Sequence, residues 1–206
     1  MPRSEWTVIF VLGGPGVGKG TQCKMLTEEY RLCHLSVGDV LRAETMRPRS
    51  QYAEIILENM REGRIGPPRI TITLLATAMR EKFEKEEISI FLIDGFPRKM
   101  DQADLFESEI CPPVLVVFLD CPQETLQKRL ANRAQTSSRL DDGPDTVKKR
   151  FTTFVETSMP VIQHYMTQDR LYQVDASHEI SVVYQGMQMV LEKNLKNRLL
   201  KIPIAL

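Results

Sequence analysis

The sequence lacks an excess of either charge: Lys+Arg and Asp+Glu number 27 each in 206 residues. Dedicated nucleic-acid and membrane-surface binders carry a basic surplus, so neither partner is expected, and any anion must be gripped by a few placed groups. Long apolar runs are also missing. Val8–Leu12, the longest near the start, is far short of a spanning helix or a signal segment, and Glu5 stands where a signal peptide wants positive charge. The four cysteines (Cys23, Cys33, Cys111, Cys121) form no Cys-x-x-Cys pair, which argues against a zinc site and a disulfide framework and for a reducing intracellular compartment. Repeats and low-complexity tracts are absent. With 42% hydrophobic and 26% charged residues the composition is that of a soluble globular chain, which excludes disorder, collagen and coiled coil. At this length roughly 70% of the unfolded surface can be buried in one domain, or in a core with a small mobile insert.

What is present alternates. Thr7–Leu12, Ile88–Ile93 and Val114–Leu119 are short, β-branched-rich and nearly continuous, as strands buried on both faces should be. Leu171–Val174 is a weaker fourth run, and Cys33–Leu35 a short fifth. Helical patterns lie between them: Lys19–Tyr30, Gly38–Met46, Gln51–Arg61, Arg69–Lys85, Asp101–Ser108, Gln123–Arg133, Asp145–Met166 with a kink at Pro160, and Glu179–Leu199. This order predicts a three-layer α/β domain with a parallel, five-stranded sheet. Two stretches break the rhythm, Gly38 to about Ile70 and Arg133 to about Pro144; both are expected above the carboxyl edge of the sheet, where such folds place ligands. Lys201–Leu206 reads as a tail or a docking strap.

Gly13-Gly14-Pro15-Gly16-Val17-Gly18-Lys19-Gly20-Thr21 follows the first strand directly and opens a helix. In that context it is a phosphate-binding loop: glycines let backbone N–H groups turn around an anion, and the helix N-terminus adds positive potential. Lys19 supplies a point charge for the β- and γ-phosphates. The residue after Lys19 is Gly20 rather than Ser or Thr, so hydroxyl ligation of a metal there is impossible, and Thr21 or water must serve Mg²⁺. No Gly-x-Gly-x-x-Gly dinucleotide fingerprint can be drawn through the loop.

The run Gly-Gly-Pro-Gly-x-Gly-Lys-Gly-Thr-Gln resembles the nucleoside monophosphate kinases, the group of adenylate and UMP/CMP kinases. Leu35 to Glu44, Glu62 to Ile65, Asp94-Gly95-Phe96-Pro97-Arg98 and the lid Arg133 to Arg150 agree in order, so the likeness covers roughly residues 5–190. Lys99 to Ala103 looks most like the fungal uridylate (UMP/CMP) kinases, with a short lid. The resemblance implies a P-loop kinase domain over 1–206: a core (about 1–35, 67–132, 144–206), a helical monophosphate-binding insert (about 36–66) and a lid (about 133–143). Without lid cysteines, the zinc-stapled long lid is excluded.

By that resemblance, Gly16, Val17, Gly18, Lys19, Gly20 and Thr21 hold ATP phosphates, Arg133 packs near the ATP base and phosphates, and His178 offers its backbone carbonyl to adenine. Arg42 and Arg98 clamp the acceptor phosphate, a task that suits bidentate guanidinium groups. Arg64, Ile65, Gly66, Gly95, Phe96, Pro97 and Gln102 line the acceptor site, and Arg139 and Arg150 reach the moving phosphoryl group. Asp94, at a strand end opposite the loop, reads as the carboxylate that orients the waters of Mg²⁺, with no direct protein ligand to the metal. Lys19, Asp94, Arg98, Arg133, Arg139 and Arg150 form the expected catalytic set. Asp141 and Asp142 either pair with lid arginines or form a solvated acidic turn. Ala134 and Ser138 replace usual lid glycines, which removes conformational freedom. The three histidines do not cluster and read as structural.

The acceptor base rests on few residues. Adenylate kinases usually place Thr, and UMP/CMP kinases Ala, where Val37 stands; Val37 lacks a hydroxyl and adds bulk, which favours a pyrimidine. Gln102 can serve uracil or cytosine by flipping its carboxamide. Gly66 and Arg69 depart from the usual Val and Glu. The expected reaction is therefore Mg²⁺-dependent transfer from ATP to UMP first, CMP second and AMP more weakly. The chain is expected to act in pyrimidine nucleotide synthesis as a monomer in the cytoplasm, with the nucleus as a further compartment. A short-form adenylate kinase is the rival from the same chemistry. A nucleotide-dependent switch is the rival of another class, and it leaves the placed arginines unexplained.

Overall fold

Three of the apolar runs become strands buried on both faces, and the two at the sheet edges are only partly buried. A computed structural model describes residues 5–134 and 143–202. Its strands are β1 (Thr7–Gly13), β2 (Cys33–Ser36), β3 (Ile90–Asp94), β4 (Leu115–Asp120) and β5 (Leu171–Asp175). They form one parallel sheet in the order β2-β3-β1-β4-β5. Alternate residues of β1 feed opposite layers. Val8, Phe10 and Leu12 pack with Phe91, Ile93 and Phe106 on one face, and Ile9 and Val11 with Leu26, Leu92 and Leu191 on the other. A strand covered on both sides has no face left for polar residues, which is why its sequence runs apolar without a break.

The helices fill the two outer layers: α1 (Lys19–Glu29), α2 (Val37–Met46), α3 (Ala53–Arg61), α4 (Pro68–Glu86), α5 (Met100–Glu109), α6 (Gln123–Ala134), α7 (Pro144–Thr153), α8 (Met159–Thr167) and α9 (Ile180–Leu195). The sheet order runs away from β1 in both directions, so the carboxyl end of β1 lies at a switch point, the place where open α/β sheets hold ligands. The crossover from β2 to β3 carries α2 and α3 toward that edge before α4, whose Ile72, Leu75 and Met79 pack into the core beside the sheet.

The long helix expected over Asp145–Met166 runs unbroken as α7, a π-helical turn and α8, and its disturbance precedes Pro160. Between α7 and α8 lies a π-helical turn, Phe154–Ser158, in which the Met159 N–H donates to the Phe154 carbonyl. Pro160 is the reason: it has no N–H to give, and its ring would meet the carbonyl four residues back, so the ladder widens before it. The last helix is shorter than its apolar pattern, ending at Leu195 before a 3₁₀ turn, Lys196–Arg198. The C-terminal segment docks as a strap, with Leu200 and Ile202 bonded to the backbone at Arg31 and Glu29, and Lys201 Nζ 3.1 Å from Glu29 and 3.2 Å from Glu192. Among the described residues no helix is long and apolar enough to cross a membrane.

Candidate functional site

A cavity of about 1120 Å³ opens above the carboxyl edge, between the loop after β1, the α2–α3 excursion, the end of α6 and the segment before α9. Pockets for one small ligand run from roughly 300 to 1,000 Å³, so this one lies just above that range.

The loop Gly14–Gly18 leaves β1 and turns into α1. Gly16 and Gly18 have φ of 85° and 99°, in the left-handed region, and a Cβ on Gly16 would lie 2.7 Å from Leu130 Cγ. The first turn of α1 carries no acidic side chain of its own, so its positive end faces the cavity with Asp94 as the nearby carboxylate. Lys19 Nζ donates to the Gly13 and Gly14 carbonyls at 2.8 and 3.1 Å. Burial pushes its ammonium down to about 8; Asp94 opposes the shift, and Arg98 and Arg150 add to it. Gly16, Val17, Gly18, Lys19, Gly20 and Thr21 all line the cavity, as do Arg133 and His178.

Asp94 ends β3 beside Ser36 of β2, with its side chain 9% exposed. Its Oδ2 lies 3.2 Å from His34 Nε2. A Cβ on Gly20 would come within 3.6 Å of the same oxygen, so the carboxylate looks across the loop at the position where a hydroxyl is missing.

The arginines converge from separate elements. Arg42, on α2, bonds to Asp39, one turn earlier, and lies over Gly38, where a Cβ would meet its guanidinium nitrogens at 3.1 and 3.2 Å. Arg98 Nε donates to the Gly95 carbonyl at 2.8 Å, and Gly95 has φ of 72°. Arg150 comes from α7, and Arg64 pairs with Glu58 at 2.6 Å. Arg42, Arg64, Ile65, Gly66, Gly95, Arg98, Gln102 and Arg150 all face the main cavity. Arg139, Ser138, Asp141 and Asp142 lie outside the described residues.

Phe96 and Pro97 are placed differently. Phe96 is fully buried against Phe10 and Phe106, so only its backbone can reach a ligand, and Pro97 lines a small adjoining pocket of about 60 Å³. The bond between them is cis. Gln102 is more constrained than its sequence implies: Oε1 accepts from the Arg98 N–H at 2.9 Å, so flipping the carboxamide would set donor against donor.

Two residues escaped the sequence reading. Arg129, on α6, donates to the carbonyls of Val17, Ala176, Ser177 and His178 at 3.4, 2.8, 3.4 and 3.3 Å, tying the loop to the segment before α9. The His178 carbonyl is thereby engaged, and its ring pairs with Asp175 at 3.2 Å. The signal was the four-residue spacing from Arg129 to Arg133, one helical turn. His34, read as structural, in fact lines the cavity and bonds Asp94.

The family model for adenylate kinase matches residues 11–170. The chain is 47% identical over 189 residues to the uridylate kinase of Saccharomyces cerevisiae, covering 92% of each chain. It is 44% identical over 200 residues to the UMP-CMP kinase of Lentinula edodes, covering 93% of this chain and 88% of that one. It is also 42% identical over 188 residues to adenylate kinase 1 of Schistosoma mansoni, covering 90% and 93%.

Proposed function

The chain belongs to the adenylate kinase family, and from that premise we propose that it transfers the γ-phosphoryl group of ATP to a pyrimidine nucleoside monophosphate, UMP first, CMP second and AMP more weakly. The observation that carries this reading is the cavity itself, in which Lys19 and the α1 N-terminus face Arg42, Arg98 and Arg150 across one space. Positive charge gathered in this way would let the site hold two polyanions although the chain has no net charge. The likeness to relatives named uridylate kinase and UMP-CMP kinase supports a pyrimidine acceptor, as does the bulk of Val37 in the cavity wall.

In this reading the loop Gly16–Thr21 binds the ATP phosphates, while Arg129 and the 177–179 segment flank its base. Arg42 and Arg98 hold the acceptor phosphate, and Arg98, Arg133, Arg139 and Arg150 neutralise charge on the transferring group. The acceptor phosphate oxygen attacks the γ-phosphorus in line as the bond to the ADP oxygen breaks. A monophosphate is largely ionised near neutral pH, so no general base is needed; positioning and charge do the work. Residues about 36–66 act as the acceptor-binding insert and about 133–143 as the lid, on a core of about 1–35, 67–132 and 144–206. Their closure excludes water that would otherwise accept the phosphoryl group.

The residues suit Mg²⁺. Mg²⁺ characteristically keeps several waters and binds through one or two carboxylates and substrate phosphates. Asp94 would hold it through water, its carboxylate facing Gly20 across the loop. When bound, the ion would spread the negative charge of the phosphates.

A coupled assay of ADP release across UMP, CMP, AMP and GMP tests the reading. Highest kcat/KM for UMP is expected. Highest kcat/KM for AMP would instead mark a short-form adenylate kinase, and hydrolysis indifferent to every acceptor a switch.

A further inference from the structure

Part of the cavity wall is apolar, lined by Leu41, Ile55, Met60 and Ile70, as a flat aromatic base requires. Asn59, on α3, interrupts this wall. Its amide Nδ2 donates to the Ile55 carbonyl one turn back, at 2.7 Å. That bond orients the carboxamide, because a carbonyl accepts only from the NH₂ end. Oδ1 is therefore a fixed acceptor.

Gly66 lies against this side chain: a Cβ there would stand 3.4 Å from Asn59 Nδ2 and 3.8 Å from Cγ, at ordinary contact distance. The unusual glycine and the polar residue are thus neighbours in the cavity wall. Gln102 is the counterpart: its Oε1 is taken by the Arg98 N–H, which leaves its NH₂ group as a fixed donor.

We propose that Asn59, seated against Gly66, selects the acceptor base by accepting a hydrogen bond from an N–H on its Watson–Crick edge, while Gln102 donates to a neighbouring acceptor on that edge. The partner chemistry is a ring imide N–H, as in uracil, or an exocyclic amino group, as in cytosine and adenine. The inference rests on the kinase reading above and names a specificity residue for it.

The test compares wild type with Asn59→Leu, an apolar replacement of similar shape in an exposed turn of helix. Acceptors are UMP, its N3-methyl derivative, CMP and AMP, with the KM for ATP measured in parallel. One net hydrogen bond predicts about a fivefold loss of kcat/KM for the acceptor it serves, and no change in the KM for ATP. If the imide is read, N3-methyl-UMP is a poor acceptor for wild type and is blind to Asn59→Leu; if an amino group is read, CMP and AMP carry the loss. Either result supports the assignment. Equal acceptor constants in both proteins overturn it and leave the kinase reading intact, as does a loss shared equally by every acceptor and by ATP. A wild type that phosphorylates none of the acceptors brings down the kinase reading and this inference together.

Discussion

His34 Nε2 sits 3.2 Å from Asp94 Oδ2, joining β2 to the end of β3 at the floor of the cavity. The register puts Ser36, not His34, beside Asp94, so the imidazole reaches along the strand to the carboxylate. Both side chains are largely withdrawn from water, at 18% and 9% exposure. A near-buried carboxylate that loses its partner keeps its desolvation cost. His34→Ala should therefore lower stability by about 2 kcal/mol, read as a drop in urea midpoint at constant m. An unchanged midpoint would show that Asp94 needs no support from β2.

Lys19 carries a pH prediction. Burial holds its ammonium at about 8, whereas bound triphosphate favours the charged form. Above pH 8, ATP binding must take up a proton, so affinity should fall by up to about tenfold per pH unit; below pH 8 this group adds no slope. Folding shows the opposite trend: between 8 and 10.5 the unfolded chain holds the extra proton, so the Lys19 penalty fades as pH rises. Titrating ATP by calorimetry from pH 7 to about 9.5 checks the first sign. Lys19→Met should flatten the profile, and a persisting slope would assign it to another group.

The two substrate lobes should separate in kinetics. Arg42→Ala removes a guanidinium held over Gly38 on the α2 side. It should raise the acceptor KM by about tenfold or more, the scale of a hydrogen bond to a charged group, with little change for ATP. Arg129→Ala, which frees four carbonyls around the loop and the 176–178 segment, should do the reverse. Michaelis constants for both substrates in both variants decide the matter, and parallel effects would refute the lobe assignment.

Val37 tests the pyrimidine argument. It is 4% exposed and lines the cavity just after the Ser36 cap of α2. Val37→Thr keeps the shape and adds a hydroxyl, so the kcat/KM ratio of AMP to UMP should rise about fivefold. An unchanged ratio would mean that residue 37 does not sense the base.

All five strands and the phosphate loop were legible because their signals are local: unbroken apolar runs, and glycines at fixed offsets before Lys19. Motif order also picked out Arg42, Arg98, Arg133 and Arg150, which line one cavity. What stayed hidden depends on contacts between distant segments. Arg129 acts on carbonyls more than forty residues away, and His34 matters only because β2 lies next to β3. Gln102 looked free to flip until the Arg98 N–H appeared on its oxygen, and Phe96 sat in a site motif although its ring belongs to the core. Pro160 announced a disturbance, but the widened turn falls before it, at Phe154–Ser158, where the missing N–H is felt.

The central claim is that this cavity moves a phosphoryl group from ATP to UMP under the charge of Lys19. Following UDP formation directly by ³¹P NMR, in wild type and in Lys19→Met with matched ATP, UMP and Mg²⁺, tests it most directly. The account predicts stoichiometric UDP and ADP from wild type, and turnover lower by on the order of 10³-fold in the variant, the loss expected when a charge clamp on the transferring group is removed. UDP production by Lys19→Met at a third of the wild-type rate, or ADP and inorganic phosphate without UDP from wild type, would contradict it.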